Sequence, residues 1–204
     1  MLLSFTKFFL ILIAVFCVSD LLMASASSPT FNGLRIEPPK IIHQSTLLNG
    51  LGQATGFPLN SGKWQLVVFG YTNCPDVCPL SLQKTASLLK MLNTDSERLQ
   101  IIFISIDSSR DSPQAMNVFT AKFDKRIIGL TGDPEALQTL ENEFNVLTRR
   151  FQGKTALAYT LEHSSFMYLL DSQGRIRMLY PIATATGGIV QDLHILWQVS
   201  EQAN

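Results

Sequence analysis

WQLVVFGYTNCPDVCPLSL, residues Trp64 to Leu82, is the stretch that decides how this chain folds. Trp64 to Tyr71 is an apolar run, as expected of a central strand covered on both faces. Pro79 suits the first turn of a helix, where its missing N–H costs nothing. That helix is predicted through Leu80 to Leu92, with Leu82, Leu88, Leu89 and Leu92 on one side. Cys74 and Cys78 fall at the junction. Cys78 stands close to the helix N-terminus, where unpaired amides and the helix dipole favour an anion, so its thiol is expected to ionise easily. Asp76 between the two disfavours the thiolates slightly.

Working outward, Leu99 to Ile106 reads as a second buried strand. Asp111-Ser112-Pro113 is a cap followed by proline at a helix start, and that helix is expected to reach Phe123. Arg126 to Leu130 is a short strand, and Asp133-Pro134-Glu135 opens a helix ending near Phe144. Ser165 to Leu170 and Arg175 to Tyr180 form a hairpin across Asp171 to Gly174. Ile189 to Val199 closes the chain as an amphipathic helix. Upstream, Arg35 to Ser45 reads as an edge strand leading in, and Gly50, Gly52, Gly56 and Pro58 break the next stretch into turns. Alternating strands and helices give an α/β fold: a central sheet with helices on both faces and an added late β-hairpin. A thiol motif at the end of the first central strand, followed at once by a helix, resembles the layout of the thioredoxin fold.

The 204 residues, 46% hydrophobic and 16% charged, support one ordinary domain plus a leader. Sixteen basic residues balance sixteen acidic ones. With no basic patch and no phosphate-binding glycine loop, nucleic-acid and nucleotide roles are excluded. Lys7, the apolar run Phe8 to Val18 and the small residues Ala24-Ser25-Ala26 read as an export signal or membrane anchor over residues 1–26. The run is shorter than the roughly 20 residues of a spanning helix, and extending it to Met23 includes Asp20. Bulky Phe16 before Cys17 argues against a lipoprotein site. Residues 27–45 read as tether and leading strand, and 46–204 as the domain. Either form of the leader exports the domain, where a cysteine pair is usually a disulfide or a guarded metal site.

Three residues separate Cys74 from Cys78, one more than in a typical disulfide exchanger. Such a loop can chelate one metal ion or close into a disulfide, and a plain stabilising disulfide is the simplest alternative. Metal binding needs a further ligand. His163, in Glu162-His163-Ser164-Ser165 just before the late hairpin, is the candidate, since a thioredoxin-like arrangement puts that loop beside the cysteine loop. Judged alone it reads first as a loop histidine with no task. Two sulfurs and one imidazole suit Cu(I), or Cu(II) with an added water; zinc normally takes a fourth ligand. His43 and His194 read as structural, Met167 and Met178 as core filling, and Asp107, Arg110 and Asp111 as a capped, ion-paired turn.

Three segments together resemble the Sco/SenC family, the copper-binding thioredoxin-like assembly factors of cytochrome c oxidase. They are FGYTNCPDVCPLSL, FISIDSSRDSPQ (Phe103 to Gln114) and YTLEHSSFMYLLDSQGRI (Tyr159 to Ile176), in order over about Gly50 to Tyr180. The resemblance implies a copper site of Cys74, Cys78 and His163 and a Cys74–Cys78 disulfide in the oxidised form. It implies a metallochaperone rather than an enzyme. The implied partners are the copper-bearing subunit of cytochrome c oxidase or another copper chaperone, together with a thiol reductant. The implied location is the bacterial periplasm, with anchoring to the inner membrane through the leader. The alternative is a thiol–disulfide oxidoreductase using Cys74 and Cys78 without obligatory metal; a thiol peroxidase lacks an identifiable activating residue set. Asn73 stands where members often have histidine, and Ser108 where proline is usual. Neither replaces a ligand, though Asn73 borders the site closely enough to affect its hydrogen bonding.

Overall fold

A computed structural model describes residues 29–155 and 158–202, so the expected leader and Cys17 lie outside the described residues. The strands in chain order are β1 (Leu34–Ile41), β2 (Ser45–Leu48), β3 (Ala54–Phe57), β4 (Trp64–Gly70) and β5 (Leu99–Ser105). They continue with β6 (Ile128–Leu130), β7 (Thr148–Gln152), β8 (Tyr159–His163), β9 (Phe166–Leu170) and β10 (Arg175–Pro181). The described α-helices are α1 (Val77–Leu92), α2 (Pro113–Ala121), α3 (Pro134–Phe144) and α4 (Thr186–Gln202). A 3₁₀ turn, Asn93–Arg98, joins α1 to β5.

Six strands form one sheet in the order β1-β10-β9-β4-β5-β6. β4, β5 and β6 run parallel, as the intervening helical crossovers require. β9 pairs antiparallel with β4, so the late hairpin is joined directly to the sheet centre. All seven residues of β4 are buried, the outcome its apolar run predicts. Gln65 is tolerated there because its amide exchanges two 2.9 Å hydrogen bonds with the backbone of Leu59.

Side chains alternate across β4, and the two faces meet different helices. Phe69 packs edge-on against Phe144 of α3 and Tyr168 of β9, with centroids 5.0 and 5.9 Å away. Gly70, on the opposite face, lies against Cys78 of α1. α1 in turn packs on α4. Helices therefore cover both faces, and the fold is thioredoxin-like.

Local chemistry explains the helix starts. Ser112 accepts the Ala115 N–H at 3.2 Å, and Asp133 accepts the Ala136 N–H at 2.8 Å, each followed by proline in the first turn. α3 stops at Asn145, which adopts φ 53°. β1 is an edge strand, and its register against β10 shifts between Arg35 and Lys40, the interval holding Pro38-Pro39. Just before β1, fully buried Asp192 of α4 receives the backbone N–H groups of Asn32 and Gly33, each at 3.0 Å. The chain's entry into the sheet is thereby fixed.

Two elements depart from the sequence reading. The glycine-interrupted stretch forms a hairpin, β2–β3, rather than turns alone. Asn49 builds its turn by accepting the Leu51 and Gln53 N–H groups, and Gly52 supplies φ +75°. β7 and β8 form a separate two-stranded ribbon, and His163 ends one of its strands instead of lying in a loop. Thr148-Arg149-Arg150-Phe151-Gln152 shows no apolar alternation because all five residues are exposed; pairing with β8 makes it a strand. Among the described residues, no helix is long and apolar enough to cross a membrane.

Gly70 gives the fold its sharpest steric test. A Cβ there would stand 2.6 Å from the Phe103 ring and 2.8 Å from Cys78 Sγ. Both neighbours are buried, so Gly70→Ala is expected to destabilise the reduced protein by about 1–3 kcal/mol, read as a lower urea midpoint. An unchanged midpoint would show that α1 does not pack this closely on β4.

Candidate metal centre

β4 delivers the chain to the end of the sheet, and the next six residues turn it into α1. Thr72 is pinned at the start of that loop. Its N–H donates to Asp111 at 3.1 Å, and its hydroxyl donates to the same carboxylate at 2.6 Å. Ser105 Oγ adds a third donor at 2.8 Å. Asp111 is 1% exposed, and burial raises its carboxyl above the ordinary range despite these donors. The turn expected of Asp107, Arg110 and Asp111 is thus divided. Asp107 pairs with Arg110 at 2.5 Å, while Asp111 reaches across to the cysteine loop. Sequence spacing cannot show that link, since Thr72 and Asp111 are 39 residues apart; the Asp-rich segment after β5 was its only signal.

Cys74 and Cys78 are both free thiols and both buried. They are not equivalent. Asp76 is the cap residue of α1, so Cys78 lies inside the first turn and Cys74 outside it. The Cys78 N–H points back to Cys74 Sγ at 3.5 Å. The amide end of the helix therefore faces Cys74, whereas the Cys78 side chain turns inward under Gly70. A hydrogen bond from the Cys78 thiol is the main force that lowers the Cys74 pKa, to about 5, and backbone amides of Asp76 and Cys78 add to it. Giving up that bond on ionising, and then desolvation, push Cys78 far above the ordinary thiol range. The sequence reading expects the helix N-terminus to favour ionisation of Cys78; the structure aims the first-turn amide at Cys74 Sγ instead, which favours the thiolate on Cys74.

β8 brings in the imidazole. His163 Nε2 lies 3.6 Å from Cys78 Sγ. Its Nδ1 lies 3.1 Å from the Ser164 carbonyl, which can only accept. Nδ1 therefore carries the proton, and Nε2 presents a lone pair to the sulfur. Burial lowers the His163 pKa and keeps the ring neutral at pH 7. The Cys78 proton thus faces two acceptors, Cys74 Sγ and His163 Nε2.

A cleft of about 470 Å³ opens over the group, lined by Tyr71, Cys74, Val77, Phe151, Leu161 and His163 among others. Among the described residues, no three His, Cys, Asp or Glu side chains already stand in an arrangement that holds a metal ion. The structure brings His163 to Cys78 and the Cys78 amide to Cys74. The other histidines are elsewhere: exposed His43 meets Glu143, and His194 lies 3.4 Å from Asp95 and beside Trp197. Met167 and Met178 are buried in the core. Asn73 is exposed.

The SCO1/SenC family model matches residues 35–198. An SCO2-like protein of Rickettsia conorii is 37% identical over 115 residues, an alignment covering 56% of each chain. This chain spans about half the length of the curated relatives it matches. Among solved structures, Bradyrhizobium japonicum ScoI with copper bound is similar with a TM-score of 0.69 and 32% identity, over 76% of this chain and 98% of that one. Apo Sco1 of Thermus thermophilus gives a TM-score of 0.74 and 30% identity, over 84% and 99%. With the family model spanning the sheet from β1 to α4, this chain belongs to the SCO1/SenC family.

Proposed function

We propose that this protein is a copper metallochaperone. It takes up one copper ion through Cys74, Cys78 and His163 and passes it to the copper-bearing subunit of cytochrome c oxidase, or exchanges it with another copper chaperone. The observation that carries this reading is the 3.6 Å approach of His163 Nε2 to Cys78 Sγ, with Nδ1 holding the proton on the far side of the ring. A free imidazole lone pair beside one sulfur, with the second sulfur across the first helical turn, makes a soft donor set suited to Cu(I), or to Cu(II) with an added water. Cys74 already favours the thiolate, and copper entry displaces the proton of Cys78, so uptake releases protons. Gathering three donors on one ion requires a rotation of the cysteine side chains; Cys74 and His163 both line the cleft. Copper is cargo here: a three-donor site at the floor of an open cleft lets a partner's ligands replace these one at a time. The copper-bound relative of similar fold supports the same reading.

The split between the two thiols supports a second use of the same pair, as a reductant of the partner's thiols before metallation. The Cys74 thiolate attacks a partner disulfide, forming a mixed disulfide and expelling one partner thiolate. Cys78 then gives its proton to His163, attacks Cys74 Sγ and releases the second partner thiolate. The products are a Cys74–Cys78 disulfide and a partner dithiol, a two-electron transfer. A cellular thiol reductant returns the pair to the dithiol. The disulfide form cannot bind copper through its sulfurs, so redox state gates loading. Residues 1–26 export the domain and, if uncleaved, tether it to the bacterial inner membrane on the periplasmic side.

The reduced domain, residues Ser27 to Asn204, is expected to bind one copper ion, and His163→Ala to weaken it at least about tenfold, about 1.4 kcal/mol. Competition titration against a chelator measures both; failure of the wild type to hold copper ends the chaperone reading. In the metal-free dithiol, iodoacetamide is expected to modify Cys74 at a rate that levels off above its pKa of about 5, and so stays nearly flat from pH 6.5 to 8.5. Cys78 should remain protected. Equal labelling of both, rising through the ordinary thiol range, would remove the reductase reading.

A further inference from the structure

The geometry points to Asp107 and Arg110 as positioning residues that hold the histidine-bearing strand against the cysteine pair. β7–β8 shares no ladder with the six-stranded sheet. Its backbone bonds flank the ribbon at Ser164 N–Leu147 O and Gly153 N–Ala158 O. Bonded pairs alternate along an antiparallel ladder, so Tyr159, Leu161 and His163 turn their backbone groups away from β7. Side chains occupy that edge where a strand would otherwise lie. Arg110 Nη1 donates to the Tyr159 carbonyl at 2.8 Å, and the Leu161 N–H donates to Tyr71 Oη at 3.2 Å.

Tyr159 is held from several directions. The Arg110 guanidinium lies 3.6 Å from its ring centroid, and Arg150 lies at the same distance. Its hydroxyl donates to Asp107 Oδ1 at 2.5 Å, while Asp107 Oδ2 takes the Arg110 Nε–H at 2.5 Å. Asp107 is 5% exposed, so this pair works in a desolvated setting where geometry is enforced strongly. Tyr159, Leu161 and His163 share one face of β8. Anchoring Tyr159 therefore sets the lateral position of His163 four residues along. The same short turn carries Asp111, which pins Thr72 at the head of the cysteine loop. One segment, residues 107–111, holds both halves of the site in register.

The copper part of the test rests on the chaperone reading above; the metal-free part does not. In the full-length protein, reduced and metal-free, Arg110→Ala is expected to raise hydrogen exchange over residues 147–165 at least about tenfold while β4 and β5 keep their protection. Arg110→Lys, which keeps the charge beside Asp107 but not the planar stack, should give an intermediate rate. On loading with Cu(II), Arg110→Ala should lose the nitrogen hyperfine coupling that His163→Ala also loses. Unchanged exchange in the ribbon, or equal acceleration in β4 and β5, would overturn the positioning role. If Arg110→Ala does not fold, Tyr159→Phe, which removes only the hydroxyl on Asp107, gives the same reading: faster ribbon exchange supports the role and unchanged exchange overturns it. If wild type binds no copper, the chaperone reading fails and the exchange data still decide this inference.

Discussion

The first turn of α1 gives its amide to the sulfur that precedes it rather than to the sulfur it contains, and the chemistry of the site depends on that choice. The Cys78 N–H faces Cys74 Sγ at 3.5 Å, while the Cys78 sulfur is pressed beneath Gly70 and Phe103. One thiol becomes an easily formed thiolate near the cleft, and the other keeps its proton in the core. A symmetric pair would have no preferred nucleophile. The asymmetry follows from packing: β4 is buried along its whole length, and glycine at its end leaves space for one sulfur.

The sheet is the base, and the site is assembled at one end of it from a loop, the first turn of α1 and the end of β8. β4 and β5 end side by side, delivering the cysteine loop and residues 107–111 respectively. The ribbon that carries His163 is then docked through side chains instead of a ladder. That docking rests on side-chain hydrogen bonds, stacking on Tyr159 and the packing of Leu161 against the core.

The core was legible because its strands are covered on both faces. Trp64 to Tyr71 and Leu99 to Ile106 need no partner to identify them, and Ser112-Pro113 and Asp133-Pro134 mark helix starts by capping chemistry alone. β7 was not legible, because an exposed strand of Thr, Arg, Phe and Gln without alternation is stabilised by its neighbour and not by its own pattern. β2 and β3 were hidden for a related reason: four residues with glycine between them read as a turn. At the site, residue types and spacing named the cysteines and the histidine as candidates. They could not tell which sulfur faces the helix amides, because that depends on where two side chains point within one turn. Asp111 was hidden by distance, its partner being one strand and one helix away in sequence.

The most direct measurement is X-ray absorption at the copper edge of the Cu(I)-loaded, reduced protein, with His163→Ala alongside. The account predicts two sulfur scatterers and one imidazole nitrogen in the wild type, and loss of the nitrogen in the variant. A site with sulfur alone, or an imidazole signal that survives His163→Ala, would contradict it.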